Sequence, residues 1–399
     1  MNAIIKPASV ADQIEIAIAD YLSEIIALRH DLHRYPELAF QEHRTSKKVA
    51  SLLAEWGYDV VSGIAGTGVV ATLKRGDGQR SLGIRADMDA LPIEEVTGLD
   101  YASSNPGVMH ACGHDGHTSI LLAAARYLAE SGRFSGTLRL IFQPAEEIGA
   151  GARKMLSDGL FDRFPVDAVF GLHNWPGVPT GQFGFVAGPA MASVDQAVIK
   201  IVGKGGHGAE PHRAVDPVLA SASFITALQS VVSRNIDPQD MAVATVGSIH
   251  AGSASNVIPE SVEMKLTMRA FSEQVRTRLQ ERIPALARAQ AESFGAVAEV
   301  NYRLGFPALV NHADETAFAR NVALTALGTA AVETDFRPRT ASEDFAFLLK
   351  AKPGSYLFVG NGDSAPLHSA QYDFNDAIIA PAALYWVRLA ETFLANDNR

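Results

Sequence analysis

Apolar residues recur at helical spacing across positions 14–32 (Ile16, Ile18, Tyr21, Leu22, Ile25, Ile26 and Leu32), which predicts an amphipathic opening helix. His33-Arg34-Tyr35-Pro36-Glu37 breaks it, and a second helix is predicted over 42–56, closed by Gly57. Two short apolar runs at 68–73 and 82–85, separated by Gly76-Asp77-Gly78, predict strands, and the second runs straight into Asp87. The small-residue run 120–125 predicts a closely packed helix. Further buried strands are predicted at 137–142, 168–171 and 356–360, and a closing helix at 378–394. Polar residues gather just past those strand ends: Gln143-Pro144-Ala145-Glu146-Glu147, His173-Asn174-Trp175 and Pro366-Leu367-His368. In open α/β sheets ligands bind outside the carboxyl ends of the strands, so these scattered groups can converge.

Between residues 191 and 303 the rhythm changes. Strand (196–202), helix (216–232), strand (241–250), strand (262–270), helix (273–294) and strand (296–302) follow in the order of the split βαβ sandwich. The fold expected is therefore α/β, a mixed and largely parallel sheet flanked by helices, carrying an inserted α+β sandwich. Residues 1–190 and 304–399 would build one discontinuous domain, and 191–303 the insertion.

Composition narrows the function classes. With 399 residues, 47% of them hydrophobic and 20% charged, the chain suits two domains better than one. A net charge of −10 without a basic run argues against nucleic acid as a partner. No eighteen-residue apolar stretch exists to span a membrane, and the first residues lack a signal pattern, so the expected address is cytoplasmic. The single cysteine, Cys112, is either a core filler or a functional thiolate.

That cysteine sits in Met109-His110-Ala111-Cys112-Gly113-His114-Asp115-Gly116-His117, three histidines and an aspartate beside it on a turn hinged by Gly113 and Gly116. The bland reading is a polar helix start; the chemical one is half of a metal site. Cys112, His114, Glu147, His173 and His368 supply one thiolate, three imidazoles and a carboxylate, a set suited to zinc, manganese or cobalt. Five ligands exceed one tetrahedral ion's need, which points to two divalent ions sharing Cys112 or a water. The adjacent Glu146 and Glu147 point different ways, so one can bind metal while the other serves as a base. A helix N-terminus would also favour two acids. The glycine-rich Gly203-Lys204-Gly205-Gly206-His207-Gly208 literally matches a dinucleotide fingerprint, but Pro211 follows where that fingerprint needs a helix. A loop presenting His207 outside its own domain fits better. Asn256 and Arg269 are two further groups able to grip a carboxylate, although as isolated residues each is more often structural.

Together these segments resemble the aminoacylase/carboxypeptidase-type dinuclear metallohydrolase family, in its branch of hippurate hydrolases and plant auxin-conjugate amidohydrolases. The matching motifs are Arg85-Ala86-Asp87-Met88-Asp89-Ala90-Leu91-Pro92, the Met109 to His117 stretch, Gln143-Pro144-Ala145-Glu146-Glu147, Gly171-Leu172-His173, Gly205-Gly206-His207-Gly208, Ser255-Asn256-Val257-Ile258-Pro259, Ser342-Glu343-Asp344-Phe345 and Leu367-His368-Ser369. The resemblance implies that Cys112, His114, Glu147, His173 and His368 hold two metal ions and that Cys112 bridges. It further implies Glu146 as general base and Asp87 as the acid that orients the site, with Arg85 standing where other branches carry a ligand histidine. His207 would reach a partner subunit's active site in a homodimer and stabilise the oxyanion, while Asn256 and Arg269 would contact the substrate carboxylate. His110 and His117 then take supporting or packing roles. The sequence departs from the pattern at Thr340-Ala341, where methionine and glycine are expected, and at Ala370, where proline is usual.

The activity implied is hydrolysis of the amide of an N-acyl or N-aroyl amino acid. The alternative is a metallopeptidase or deacetylase acting on a dipeptide-like or N-acetylated amine. A serine hydrolase is disfavoured because no Gly-x-Ser-x-Gly elbow occurs. A metal-dependent binding protein on the same scaffold would lack a usable base, which Glu146 supplies.

Overall fold

A computed structural model of the chain describes residues 10–395, so the first residues, read above for a signal, lie outside the described part. The chain divides into two compact units. One takes in the chain up to Gly188, Val310–Arg337 and Phe347 onward; the other takes in Pro189–Leu309 and Pro338–Ala346. The expected boundaries differ most at 338–346, which groups with the second unit. The reason is local: Ala192 N–H donates to the Arg339 and Ala341 carbonyls, and Arg269 donates to Thr340 O and Ser342 Oγ.

In the first unit seven strands form one sheet, in the spatial order Asp59–Ile64, Gly68–Arg75, Gly136–Gln143, Ser81–Asp87, Ala168–Pro176, Gly354–Gly362, Phe183–Gly184. The four central ones, from Gly136–Gln143 to Gly354–Gly362, run parallel, and the flanking pairings are antiparallel. Parallel strands covered on both faces read as continuous apolar runs rather than alternations. That is why Ser81–Asp87 and Gly354–Gly362 are buried along nearly their whole length. Helices Val10–Ala19, Leu22–Arg34, His114–Glu130 and Ile379–Phe393 contribute to the main core with Leu82, Ile84, Leu138, Leu140, Phe170 and Leu357 of the strands. Because the central strands share a direction, their carboxyl ends deliver Asp87, Gln143 with the loop after it, and His173 to one edge.

Three local expectations change. The opening helix is two helices, because the Tyr21 backbone leaves helical geometry and its hydroxyl donates to Ala123 O at 2.9 Å. His173 lies within its strand, which runs on to Pro176, rather than past its end. Asp59–Ile64, a half-exposed edge strand, was not anticipated because Asp-Val-Val-Ser-Gly-Ile carries no clear period.

The second unit holds a four-stranded antiparallel sheet in the order Ala242–Ala251, Ser261–Ala270, Ser193–Val202, Val297–Leu304. Helices Pro217–Asn235 and Glu273–Ser293 join its core. Asp216 and Ser272 cap them by accepting from Val218, Leu219 and Val275 N–H groups. One-sided burial of Ala197, Ile199, Ile201, Met264, Leu266 and Met268 gives the alternation the sequence displays. Among the described residues no helix is long and apolar enough to cross a membrane.

Candidate metal centre

The Cys/His stretch turns sharply into helix His114–Glu130. Gly113 makes the turn with φ +88°, and a Cβ there would also meet Asn174 Oδ1 and Tyr372 Oη at 2.6 Å, so side chains are excluded twice over. Gly116 is not a hinge. It lies inside the helix, where a Cβ would come within 2.2 Å of the Phe374 ring, so its role is close packing. His114 opens the helix, and Cys112 precedes the turn; both side chains are buried.

Around them the first unit gathers the other expected ligands. Cys112, His114 and His173 have ligand atoms within 4.8 Å of one another, and so do Cys112, Glu147 and His368. Cys112 Sγ lies 3.3 Å from His173 Nε2, and His368 Nε2 lies 3.4 Å from Glu147 Oε2. Two ligands of one tetrahedral zinc-like ion, one sulfur and one nitrogen, stand about 3.5 Å apart, and an oxygen–nitrogen pair about 3.4 Å. His114 Nε2 faces Glu147 Oε1 at 3.8 Å, yet neither of these two atoms makes a hydrogen bond among the described residues. Buried polar atoms are ordinarily satisfied, so such a cluster fits a cation between them. His173 Nδ1 donates to Asn174 O at 2.6 Å, which leaves the Nε2 lone pair turned toward Cys112, the tautomer a metal ligand requires.

The electrostatics agree. Burial pushes the Cys112 thiol well up, and Glu147, Glu146 and Asp87 add to it, so without a cation the sulfur keeps its proton. Burial likewise lifts Glu147 to about 7. For His114 burial works downward, but Asp87, Asp89 and Glu147 outweigh it and hold the imidazole up at about 10. Burial takes His173 well below its usual value. Three carboxylates, a thiol and imidazoles share a dry space, and a divalent cation would relieve their mutual conflict.

Supporting groups were only partly visible beforehand. His117 is held at both ring nitrogens, by Asp87 Oδ1 at 2.7 Å and by Asn174 Oδ1 at 2.8 Å, which takes it out of the ligand set. Asn174 in turn bonds the Tyr372 hydroxyl, and Asp87 Oδ2 accepts from Arg85 at 2.7 Å. His110 is buried without a hydrogen bond from either nitrogen among the described residues, and burial holds it down at about 4. Sequence reading missed Asp89, Asn174 and Tyr372. The Asp-x-Asp pattern at 87–89 was the one available signal for Asp89, while Asn174 offered only its place beside His173.

Glu146 and Glu147 follow Ala145, a non-glycine residue at φ +53°, and the two amides donate to the two oxygens of Asp89, each at 3.0 Å. Glu146 is buried, and its carboxylate lies with that of Glu147 and the imidazole of His114 in a further group of potential ligand atoms.

The remaining candidates belong to the second unit. His207 sits in a two-residue strand, Gly206–His207, paired with Val257–Ile258, and Gly208 N–H donates to Asn256 O at 2.8 Å. One short antiparallel ladder, made from segments about fifty residues apart in sequence, therefore holds His207 and sets Asn256 beside it. Ala209 N–H donates to His207 Nδ1 at 3.0 Å, so the neutral ring carries its proton on the exposed Nε2. Arg269 uses one guanidinium nitrogen to hold Thr340 O and Ser342 Oγ.

Residues 83–392 match the model of peptidase family M20/M25/M40. The hippurate hydrolase of Campylobacter jejuni is 44% identical over 377 residues, covering 94% of this chain and 98% of that one. An N-acetyl-L-cysteine deacetylase of Bacillus subtilis is 40% identical, covering 94% and 89%. Among solved structures, the Bacillus subtilis YXEP protein, described as a dinuclear metal binding peptidase, superposes with a TM-score of 0.81 at 35% identity, covering 94% of this chain and 99% of that one.

Proposed function

The chain belongs to peptidase family M20/M25/M40, and from that premise we propose that it is a two-metal amidohydrolase of N-acyl amino acids, releasing a carboxylic acid and a free amino acid. The observation that carries the reading is the double membership of Cys112, whose sulfur belongs with His114 and His173 on one side and with Glu147 and His368 on the other. A single thiolate shared by two ions would account for a five-ligand set and for the one cysteine of the chain. Manganese, zinc and cobalt all suit these donors. When bound, the ions polarise the scissile carbonyl and make water acidic enough to ionise near neutral pH.

The chain's own groups do the rest. Glu146 takes the proton of the attacking water and returns it to the departing amine. Asp87, clamped by Arg85 and His117, fixes the orientation of the histidines around it. His207, serving a partner subunit's site in a homodimer, donates its Nε2 proton to the carbonyl oxygen as negative charge develops. Asn256 and the remaining donors of Arg269 hold the substrate carboxylate. A cytoplasmic address goes with this reading, because a reducing compartment keeps Cys112 available as a ligand.

The test is a screen of hippurate, N-acetylcysteine and a dipeptide with manganese, zinc or cobalt supplied, alongside counting of bound metal. The reading expects two ions per chain and amide cleavage that chelator abolishes. Preferential cleavage of the dipeptide would turn the assignment to a peptidase, and activity insensitive to chelator would remove it.

A further inference from the structure

Two buried carboxylates that the proposed chemistry does not use converge on one short segment. Ala145, Glu146 and Glu147 leave the Gly136–Gln143 strand in a left-handed turn, so their three successive N–H groups need acceptors in a place water does not reach. Glu42 Oε1 accepts from Ala145 N–H at 2.9 Å; Asp89 Oδ1 accepts from Glu146 N–H and Oδ2 from Glu147 N–H, each at 3.0 Å. Asp89 Oδ1 also lies 3.3 Å from His114 Nδ1. Glu42 is itself fixed, accepting from Phe40 N–H at 3.0 Å and from the Thr67 hydroxyl at 2.5 Å. Both side chains are essentially excluded from solvent, Glu42 at 0% and Asp89 at 1% exposure.

We infer that Asp89 and Glu42 are positioning residues that clamp the Glu146–Glu147 turn, Asp89 tying the base and one ligand to a second ligand, His114. The inference rests on the roles proposed above for Glu146, Glu147 and His114. Its physical content is geometric. A run of backbone N–H groups makes a concavity for an anion, and here the anion is a side chain of the protein. With both oxygens of Asp89 taken by amides, the directions of the two consecutive side chains are fixed: a ligand on one side, a base on the other. A carboxylate beside the Nδ1 of a ligating histidine also fixes which ring nitrogen faces the metal.

Isosteric substitution separates this role from packing. Asp89→Asn keeps the volume but turns an NH2 group toward a backbone N–H, donor against donor. Glu42→Gln keeps an acceptor for Ala145 N–H and a group able to meet the Thr67 hydroxyl, whereas Glu42→Ala keeps neither. In the full-length enzyme supplied with manganese and assayed on hippurate, Asp89→Asn should lower kcat by about 10–100-fold with KM nearly constant, and weaken manganese binding by a similar factor in a calorimetric titration. Glu42→Gln should stand about tenfold or more above Glu42→Ala in both readouts. Amide exchange should show Glu146 and Glu147 N–H losing protection in Asp89→Asn. Wild-type kcat and manganese affinity in Asp89→Asn, or equal losses in the two Glu42 variants, overturn the clamp. Glu146→Gln, run in parallel, separates the two ideas: full turnover there removes the proposed base, while the manganese titration and the exchange data still decide the clamp.

Discussion

Cys112 and His173, sixty-one residues apart in sequence, meet with Sγ and Nε2 3.3 Å apart in the closed interior of the first unit. The helix start at Gly113 and the strand Ala168–Pro176 bring them there, and the His173 tautomer leaves a lone pair facing the sulfur. The contact predicts the outcome of removing the thiol. Cys112→Ala should lower bound metal below two ions per chain and weaken the remaining affinity by about 10-fold or more, measured by elemental analysis after dialysis. Both ions retained at full affinity would return Cys112 to the status of a core filler.

Gly116 shows the same helix from its packing side. An alanine there gains helix propensity of about 1 kcal/mol, but its Cβ would press on three atoms of a Phe374 ring that is itself 1% exposed. Overpacking of a rigid core costs roughly 1–3 kcal/mol, so the loss wins. Gly116→Ala should therefore lower the Tm of the protein, and an unchanged or raised Tm would show that the ring can move aside.

Stability should also depend on pH through His33. Burial works against its charge, but the Asp115 carboxylate at 2.8 Å and Glu95 outweigh that and hold the imidazole up at about 9. A folded-state value raised above the ordinary 6.5 means that the charged ring stabilises the fold fully below pH 6.5, with the contribution fading as pH rises through about 9. The Tm difference between the wild type and His33→Gln should accordingly be largest near pH 6 and shrink toward pH 10. A difference that grows with pH would contradict this.

The neutral tautomer of His207 carries a further expectation. If Nε2–H donates to the developing oxyanion, His207→Ala should lose about 10²–10³-fold in kcat while metal content stays constant. Unchanged turnover would leave the paired segments of His207 and Asn256 an assembly element only.

Much of this was legible in the chain. Continuous apolar runs located the parallel strands, the Cys/His stretch offered Cys112 and His114, and the motifs past strand ends offered Glu147 and His368, residues whose ligand atoms cluster in the structure. What escaped has physical reasons. The opening helix breaks at Tyr21, whose hydroxyl bonds Ala123 O a hundred positions away, and helical periodicity carries no trace of that contact. Gly116 looked like a hinge because a glycine that permits a turn and one that admits an aromatic ring are the same letter. Asp89 and Glu42 act by accepting backbone N–H groups, a role that depends on the φ of Ala145 and on burial rather than on any spacing of side chains.

The most direct test of the two-metal hydrolase reading is a single preparation of Glu146→Gln, assayed for bound metal and for hippurate turnover together. Two ions per chain, an unchanged Tm and a loss of about 10²–10⁴-fold in kcat are the predicted result, since proton transfer by a placed base contributes on that order. Turnover near that of the wild type, with the metal in place, would contradict the account.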